Sequence, residues 1–213
     1  MKRIVLFVLT LCLCFSLATA LTACEIQLTA GTAGTAAVSH TVTKEEYEAA
    51  LTFEGVTAAT FSFKQIPDNA VMVCEIQDNK IKLTQREEQQ EVVSFWEVTD
   101  AYAYIYVYVE SNWARMKIRP EQDAYRAVMT IDVISENCFG LFVSLYDNLT
   151  YADGYYSVTA DGNQLKMQFE NGKLTYAYLE NADNTGAEIV VSGYGTTAVT
   201  LPETYINAGN YPG

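Results

Sequence analysis

The chain is poor in histidine, with His40 as the only one in 213 residues. Serine and cysteine hydrolases need an imidazole as general base, and catalytic zinc sites commonly use imidazole ligands. His40 lies in a stretch rich in threonine, alanine and glycine, where no pattern predicts the packing that would hold a base in place. The sequence therefore argues against these enzyme classes and against a zinc site.

Other catalytic signals are equally sparse. Paired carboxylates could hydrolyse sugars, but most of the 26 acidic residues fall in predicted turns or at outward strand positions. The segment SGYGTT, residues 192–197, lies between two predicted strands, whereas a phosphate-binding loop joins a strand to a helix. The cluster NADNTG, residues 181–186, lacks the spacing of an EF-hand and is typical of a solvated turn. We predict no catalytic residue, no metal ligand and no cofactor, and expect that the protein is not an enzyme.

Basic residues are few, since 13 lysines and arginines stand against 26 aspartates and glutamates. Lys2 and Arg3 belong to an N-terminal leader, so the charge after the leader is 11 minus 26, or −15. Such a chain repels the phosphates of nucleic acids and of anionic bilayers. We predict no nucleic-acid partner, and any membrane attachment must come from something other than surface charge.

The chain has five cysteines, too few beyond its N-terminus for a disulfide framework. Cys12, Cys14 and Cys24 lie in or directly after the leader. Cys74 and Cys138 remain, and they either form one disulfide in an oxidising compartment or pack as two buried thiols. The sequence leaves both alternatives open.

Long apolar runs are also missing after the leader, where none approaches the ~20 residues of a membrane-spanning helix.

The leader itself is informative. Lys2 and Arg3 precede an apolar run from Ile4 that ends in small residues, which is the pattern of an export signal. Residues 21–24, Leu-Thr-Ala-Cys, resemble a bacterial lipobox, and this resemblance implies cleavage before Cys24 and acylation of its thiol. A plain secretory signal or an uncleaved membrane helix are the alternatives, and the cysteine and the small-residue end disfavour them.

We therefore predict three regions. Residues 1–23 form a lipoprotein signal peptide, residues 24–42 a lipidated cysteine with a flexible tether, and residues 43–213 one β-rich domain. Two acyl chains, palmitate among them, are enough for stable residence in a membrane. The predicted location is the extracytoplasmic face of the cell membrane, and the predicted attachment is the lipid anchor at Cys24.

The domain begins with a helix signal and continues with strands. Thr43 and Glu46 have the spacing of a capping box, which predicts a short helix over KEEYEAAL. Turn residues predict five hairpins in this region. Four of them have their turns at Asn171–Gly172, Asp161–Gly162, Asp78–Asn79 and within IPDN at 66–69. The first turn predicts the pairs Glu170–Lys173, Phe169–Leu174, Gln168–Thr175 and Met167–Tyr176. The others predict the pairs Tyr156–Met167, Ser157–Lys166, Val158–Leu165, Glu75–Lys82, Ile76–Ile81, Cys74–Leu83, Phe63–Met72 and Phe61–Cys74.

Tyrosine occupies every second position of residues 102–108, so one face of this strand is phenolic and the other aliphatic. A fifth turn at Ser111–Asn112 predicts pairs of tyrosines with cations, which are Tyr108–Arg115, Tyr106–Lys117 and Tyr104–Arg119. It also predicts the aliphatic pairs Val109–Ala114, Val107–Met116 and Ile105–Ile118. We expect the phenols to face outward with their hydroxyls in water, although a three-residue turn would reverse the faces.

The strand at 91–98, EVVSFWEV, does not fit this alternation. A two-residue turn at Thr99–Asp100 places Phe95 outside and Ser94 inside. A bulge or a longer turn would change this, and Trp96 stays unassigned.

A second helix is predicted over residues 135–149, where apolar residues recur at helical spacing and Ser135 serves as the N-cap. The residues of this apolar stripe are Cys138, Leu141, Phe142, Leu145 and Leu149. Its only large apolar partner is the inner face of the sheet. We thus predict an α+β, mainly β fold, in which a single curved antiparallel sheet of about nine strands, an incomplete β-barrel, wraps around one or two helices.

Together these features resemble the bacterial lipid-anchored proteins with a lipoprotein-carrier fold (LolA/LppX-like). The resemblance rests on the lipobox at Cys24, VTKEEYEAAL at 42–51, the strand meander of 151–180 and SGYGTTAVTLPE at 192–203. It implies an incomplete β-barrel over helices with an apolar cavity between them. It also implies that the protein binds or carries a lipid or another apolar ligand outside the cytoplasm.

The predicted cavity residues are the inward strand positions together with one position of the second helix. They are Phe61, Phe63, Met72, Ile105, Met116, Phe142, Leu165, Met167 and Phe169. The same residues would also serve an ordinary packed core. The alternative function is therefore a cell-surface interaction module with a packed core and no ligand, whose protein partner the sequence does not name. In both cases we expect a monomer.

Overall fold

The structure, a computed structural model, describes residues 42–87 and 90–211. The predicted signal peptide, the anchor at Cys24, the tether and His40 lie outside the described residues. Within the described ranges, no helix has both the length and the apolar character needed to cross a membrane.

The described residues form one open sheet of twelve strands, more than the nine expected. Its spatial order is β12-β6-β5-β4-β3-β2-β1-β11-β10-β9-β8-β7. The strands are β1 (Ala58–Ile66), β2 (Val71–Gln77), β3 (Lys80–Glu87), β4 (Gln90–Thr99), β5 (Tyr102–Val109), β6 (Asn112–Ile118), β7 (Thr150–Ala152), β8 (Tyr155–Ala160), β9 (Asn163–Glu170), β10 (Lys173–Glu180), β11 (Gly186–Ser192) and β12 (Ile206–Asn210). Neighbours pair antiparallel except β12, which runs parallel to β6, so the sheet is mostly antiparallel as expected.

The helical segments are short. They are α1 (Lys44–Thr52), α2 (Asp123–Arg126), α3 (Ile131–Ile134), a π-helical turn (Ser135–Phe139) and a 3₁₀ helix (Gly140–Asn148). The capping box of α1 is confirmed, because the Thr43 hydroxyl accepts from the Glu46 amide at 3.2 Å and the Glu46 carboxylate accepts from the Thr43 amide at 2.8 Å. The prediction of a mainly β fold with one large sheet and few helices is confirmed.

Three hairpins have the predicted register. The turns at Asp78–Asn79, at Asp161–Gly162 and within 66–69 give all the pairs expected from them. The turn at Asn171–Gly172 has positive φ at both residues and starts in the predicted register. A bulge at Thr175 then shifts the pairing by one residue, so that Gln168 faces Tyr176 and the predicted pairs Gln168–Thr175 and Met167–Tyr176 are both wrong.

The register predicted for β5 and β6 is wrong by two residues. The turn is Glu110–Ser111, with φ values of 50° and 70°, and the Asn112 side chain donates to the Glu110 carbonyl at 3.2 Å. The observed pairs are Val109–Asn112, Tyr108–Trp113, Val107–Ala114, Tyr106–Arg115, Ile105–Met116, Tyr104–Lys117 and Ala103–Ile118. A shift of two preserves the faces, so tyrosines and cations still share one side.

The segment 91–98, which did not fit the alternation, lies in β4 and contains no bulge. The turn between β4 and β5 is Asp100–Ala101, which again shifts the predicted pairing by two residues. Ser94 therefore lies on the inner face and Phe95 on the outer face, as a two-residue turn predicts. Trp96 is buried on the inner face opposite Ile105, and its indole donates to the Ser94 hydroxyl at 3.2 Å.

The prediction of one α-helix over 135–149 is wrong in its type and its start, but four of the five residues of the predicted stripe, Cys138, Phe142, Leu145 and Leu149, are buried. Thr130 is the N-cap, since its hydroxyl accepts from the Val133 amide, whereas Ser135 lies inside the helical run. Within the 3₁₀ helix, Phe142 and Leu145 lie three residues apart, which is one turn of this helix type. Phe142 and Leu145 are buried, while Leu141, which the α-helical spacing placed inward, is 57% exposed.

The helical segments lie on one face of the sheet, here called the inner face, and form a helical layer of residues 42–53 and 123–149. The Phe53 ring lies 5.1 Å from the Phe61 ring on β1, and the Tyr47 ring lies 5.5 Å from the Phe169 ring on β9. A single hydrophobic core fills the space between sheet and layer.

Candidate functional site

All nine predicted cavity residues belong to the core between the sheet and the helical layer. Phe61, Phe63, Ile105 and Met167 have no exposed surface, and Met72, Phe142 and Leu165 are also buried. Met116 and Phe169 are only partly buried and pack against the rest. The sequence therefore located the apolar face of the sheet, and these two residues are the predicted ones nearest to solvent.

One aromatic cluster occupies the middle of the inner face. The Phe53 ring meets the Phe61 ring edge-on and lies 5.5 Å from the Phe139 ring of the π-helical turn. Phe61 in turn stacks with Phe63 at 6.3 Å. Sequence reasoning missed Phe53 and Phe139, because the first is a left-handed C-cap and the second lies within the predicted helix but outside its apolar stripe.

A second cluster covers the strands on the β9 side. The Tyr47 ring contacts Phe169 and also the Tyr146 ring at 5.3 Å, and the Tyr156 ring meets Phe169 at 5.5 Å. The Tyr47 hydroxyl donates to the Phe142 carbonyl at 2.7 Å, which joins α1 to the 3₁₀ helix. Burial disfavours the phenolate and raises the pKa of Tyr47 well above its usual range. This phenol stays neutral and acts as a structural donor.

Cys74 and Cys138, the cysteines among the described residues, are both buried and are not joined by a disulfide. The Cys74 thiol donates to the Met129 carbonyl at 3.6 Å, so β2 is joined to the helical layer. Burial raises the pKa of the Cys138 thiol to about 12. A thiol with such a pKa is almost entirely protonated near neutral pH and is a poor nucleophile.

Side-chain hydrogen bonds hold the helical layer together and join it to the sheet. Within the layer the Ser135 hydroxyl donates to the Leu51 carbonyl at 3.0 Å, and between layer and sheet the Tyr125 hydroxyl donates to the Thr99 carbonyl at 2.7 Å. In residues 42–87 and 90–211, no three His, Cys, Asp or Glu side chains are grouped so that they could hold a metal ion. The space between the sheet and the layer is thus lined almost entirely by apolar side chains.

The opposite, outer face carries a second candidate site. We call it the outer aromatic surface and define it by Phe95, Tyr102, Tyr104, Tyr106, Tyr108, Trp113, Arg115, Lys117 and Tyr205. Tyr108 is 60% exposed and Tyr205 is 39% exposed. The tyrosines of β5 do point away from the helical layer, but the expectation that Tyr106 lies in water is wrong. The Tyr205 ring covers it at 5.3 Å, and Tyr106 is only 3% exposed.

The cations of this surface lie over aromatic rings. The Arg115 guanidinium carbon is 4.3 Å from the centre of the Tyr104 ring and 4.4 Å from the centre of the Tyr205 ring. The Lys117 ammonium lies 4.2 Å above the Tyr102 ring. Contacts of this kind contribute about 0.5–1 kcal/mol each at exposed sites. Tyr205, which directly precedes β12 and which the sequence analysis did not identify, thus completes the surface.

No protein-family model matches the chain, and no curated protein matches it. The functional proposals below therefore rest on the chain's own sequence and geometry.

Proposed function

We propose that the protein is an extracytoplasmic lipoprotein, anchored through Cys24, whose domain binds or carries a lipid or another apolar ligand between the sheet and the helical layer. The observation that carries the proposal is an open sheet whose apolar face is covered by a layer of short helical segments. Its architecture is compatible with the incomplete β-barrel over helices of LolA/LppX-like carriers. The leader supports the extracytoplasmic location.

We expect the helical layer to open more easily than the sheet that it covers. Its longest helices have nine residues, and part of it is π-helical or 3₁₀, with poorer hydrogen-bond geometry than an α-helix. Segments of this kind open locally at a lower free energy than a paired strand. A ligand would enter by displacing part of this layer while the sheet keeps its ladder hydrogen bonds.

The inner face is also adaptable. The chain has five methionines, and the four that follow Met1 all lie in the core or pack against it: Met72, Met116, Met129 and Met167. Unbranched thioether side chains change rotamer at low cost and fill irregular spaces, which is useful where an acyl chain must replace core contacts. The partly buried Met116 marks the side of the core from which we expect entry.

The proposal is tested by uptake of the fluorescent probe N-phenyl-1-naphthylamine and its displacement by a fatty acid, using the chain from residue 25 onward. A charge in an apolar site disfavours the ligand, so Met116→Lys should weaken probe binding at least about tenfold. Met116→Gln is the milder variant should the lysine unfold the domain. Val190→Lys is the matched control, since Val190 is already exposed on β11.

The carrier proposal predicts saturable uptake that Met116→Lys weakens and Val190→Lys leaves unchanged. It fails if the folded protein takes up no probe, or if both lysine variants reduce uptake equally.

A further inference from the structure

The rings of the outer aromatic surface are fixed before any partner arrives. Trp113 meets Phe95 edge-on at 5.2 Å and Tyr108 at 5.3 Å, and Tyr102 meets Tyr104 at 5.0 Å. Rings held in this way lose little further side-chain entropy on binding. Tyrosine, tryptophan and arginine are also the residues that dominate binding energy at protein interfaces.

The two cations of the surface have no carboxylate partner among the described residues. The ion pairs that the structure shows there join Lys44 to Asp147, Lys64 to Glu188, Lys82 to Glu75, Arg86 to Glu91 and Arg119 to Glu121. Glu97 accepts from the Tyr106 hydroxyl at 3.3 Å instead of pairing with Arg115. The Arg115 Nε atom is buried without a hydrogen-bond partner. In a chain with twice as many acids as bases, the charges of these two cations are thus not neutralised by an ion pair among the described residues.

The spacing of the surface matches an extended peptide. Arg115 and Lys117 lie two residues apart on one face of β6, so their Cα atoms are separated by about 6.6 Å. Carboxylates at alternate positions of an extended chain have the same separation. The tyrosines of β5 repeat with this period from Tyr102 to Tyr108, a length of about 20 Å. An acidic segment in an extended conformation could therefore place alternate carboxylates next to Arg115 and Lys117. Its remaining side chains would lie against the tyrosine rings of β5.

We propose that the outer aromatic surface binds an acidic, extended segment of a partner protein. The surface lies on the opposite side of the sheet from the proposed apolar ligand site, so either function can hold without the other. Arg115 and Lys117 would form ion pairs with alternate carboxylates, and Tyr108, Trp113 and Tyr205 would supply apolar contact area.

The test uses the full chain, purified with its own leader in a zwitterionic detergent. The probe is a fluorescein-labelled peptide of twelve residues with glutamate at every second position, and its binding is followed by fluorescence anisotropy. The comparison probes are the same peptide with glutamine in place of glutamate, the same composition with the glutamates in one block, and an anionic polysaccharide, heparin. The variants are Arg115→Gln combined with Lys117→Gln, and separately Tyr108→Ser.

The alternating acidic peptide should bind, and the double charge variant should weaken its binding at least about tenfold, because the charged hydrogen bonds to two of the peptide's carboxylates are lost. Raising the salt concentration should weaken it too. Tyr108→Ser should weaken binding several-fold while leaving the thermal melt unchanged, since this ring is mostly exposed. Lys173→Gln is the matched control, because Lys173 lies over the Tyr194 ring at 5.0 Å on another part of the molecule.

Three results would overturn the proposal. The glutamine peptide should bind more weakly than the glutamate peptide, so equal binding of the two would show that charge plays no role. Unchanged affinity in both the double variant and Tyr108→Ser would place the site elsewhere. Binding of heparin without binding of the alternating peptide would assign the surface to an anionic glycan. Probe uptake at the inner face is measured separately, so a failure here leaves the carrier proposal standing.

Discussion

Replacing Phe139 by alanine tests directly how the helical layer is attached to the sheet. Phe139 has no exposed surface, and its ring lies 5.5 Å from the Phe53 ring. Truncating a buried phenylalanine removes its transfer free energy and leaves a cavity, at a cost of about 3–5 kcal/mol. We expect Phe139→Ala to lower the free energy of unfolding by this amount.

Leu141→Ala is the paired variant, because the two possible helix geometries give opposite expectations for it. A regular α-helix over 135–149 would bury Leu141, and its truncation would cost about 2–5 kcal/mol. In the structure Leu141 is 57% exposed, and an exposed substitution away from special features changes stability by no more than about 0.5 kcal/mol.

The assay is urea unfolding followed by far-UV circular dichroism, with the thermal midpoint as a second readout. For a domain of this size about 1 kcal/mol corresponds to about 2–4 °C, so Phe139→Ala should lower the midpoint by about 6–20 °C. The reasoning is refuted if Leu141→Ala destabilises the protein as much as Phe139→Ala, or if Phe139→Ala costs less than about 1 kcal/mol.

Three further predictions concern the cap, the thiol and alkaline pH. Thr43→Ala removes the capping box and should cost about 1 kcal/mol in urea unfolding; an unchanged midpoint would show that the cap is unimportant. Cys138, whose pKa burial raises to about 12, should react with a thiol reagent at pH 8 only after unfolding, and fast labelling of the native protein would contradict its burial. Burial, assisted by Glu188, raises the pKa of Tyr176 to about 12 from 10.0, so the unfolded chain deprotonates first. The stabilisation is complete below pH 10.0 and is lost as the pH rises towards about 12, and a thermal midpoint that stays constant between pH 9 and pH 11.5 would refute this.

Much of the sheet could be predicted because its turns carry residues that tolerate positive φ. Asp161–Gly162 and Asn171–Gly172 are strong type I′ signals, and both turns lie where expected. Glu110–Ser111 has the same backbone conformation without such residues, so the register there was wrong by two. Because side chains alternate with period two, that error left the faces correct.

The helical layer was harder to predict because packing against the sheet changes its helix type. The sequence between Thr130 and Leu149 is compatible with an α-helix, and its spacing correctly placed Phe142 and Leu145 inward, but only the structure shows that Leu141 is exposed. The contact of Tyr205 with Arg115 could not be predicted from the sequence either, because it depends on β12 pairing with β6. Contacts between distant parts of the chain leave no local pattern to read.

The central claim is that the space between the sheet and the helical layer accepts an apolar ligand, and native mass spectrometry tests it most directly. The chain from residue 25 onward would be purified without delipidation and sprayed under non-denaturing conditions. The account predicts a species heavier than the protein by the mass of one lipid, which is released on unfolding. Detection of the bare protein alone, both as purified and after incubation with a fatty acid, would contradict it.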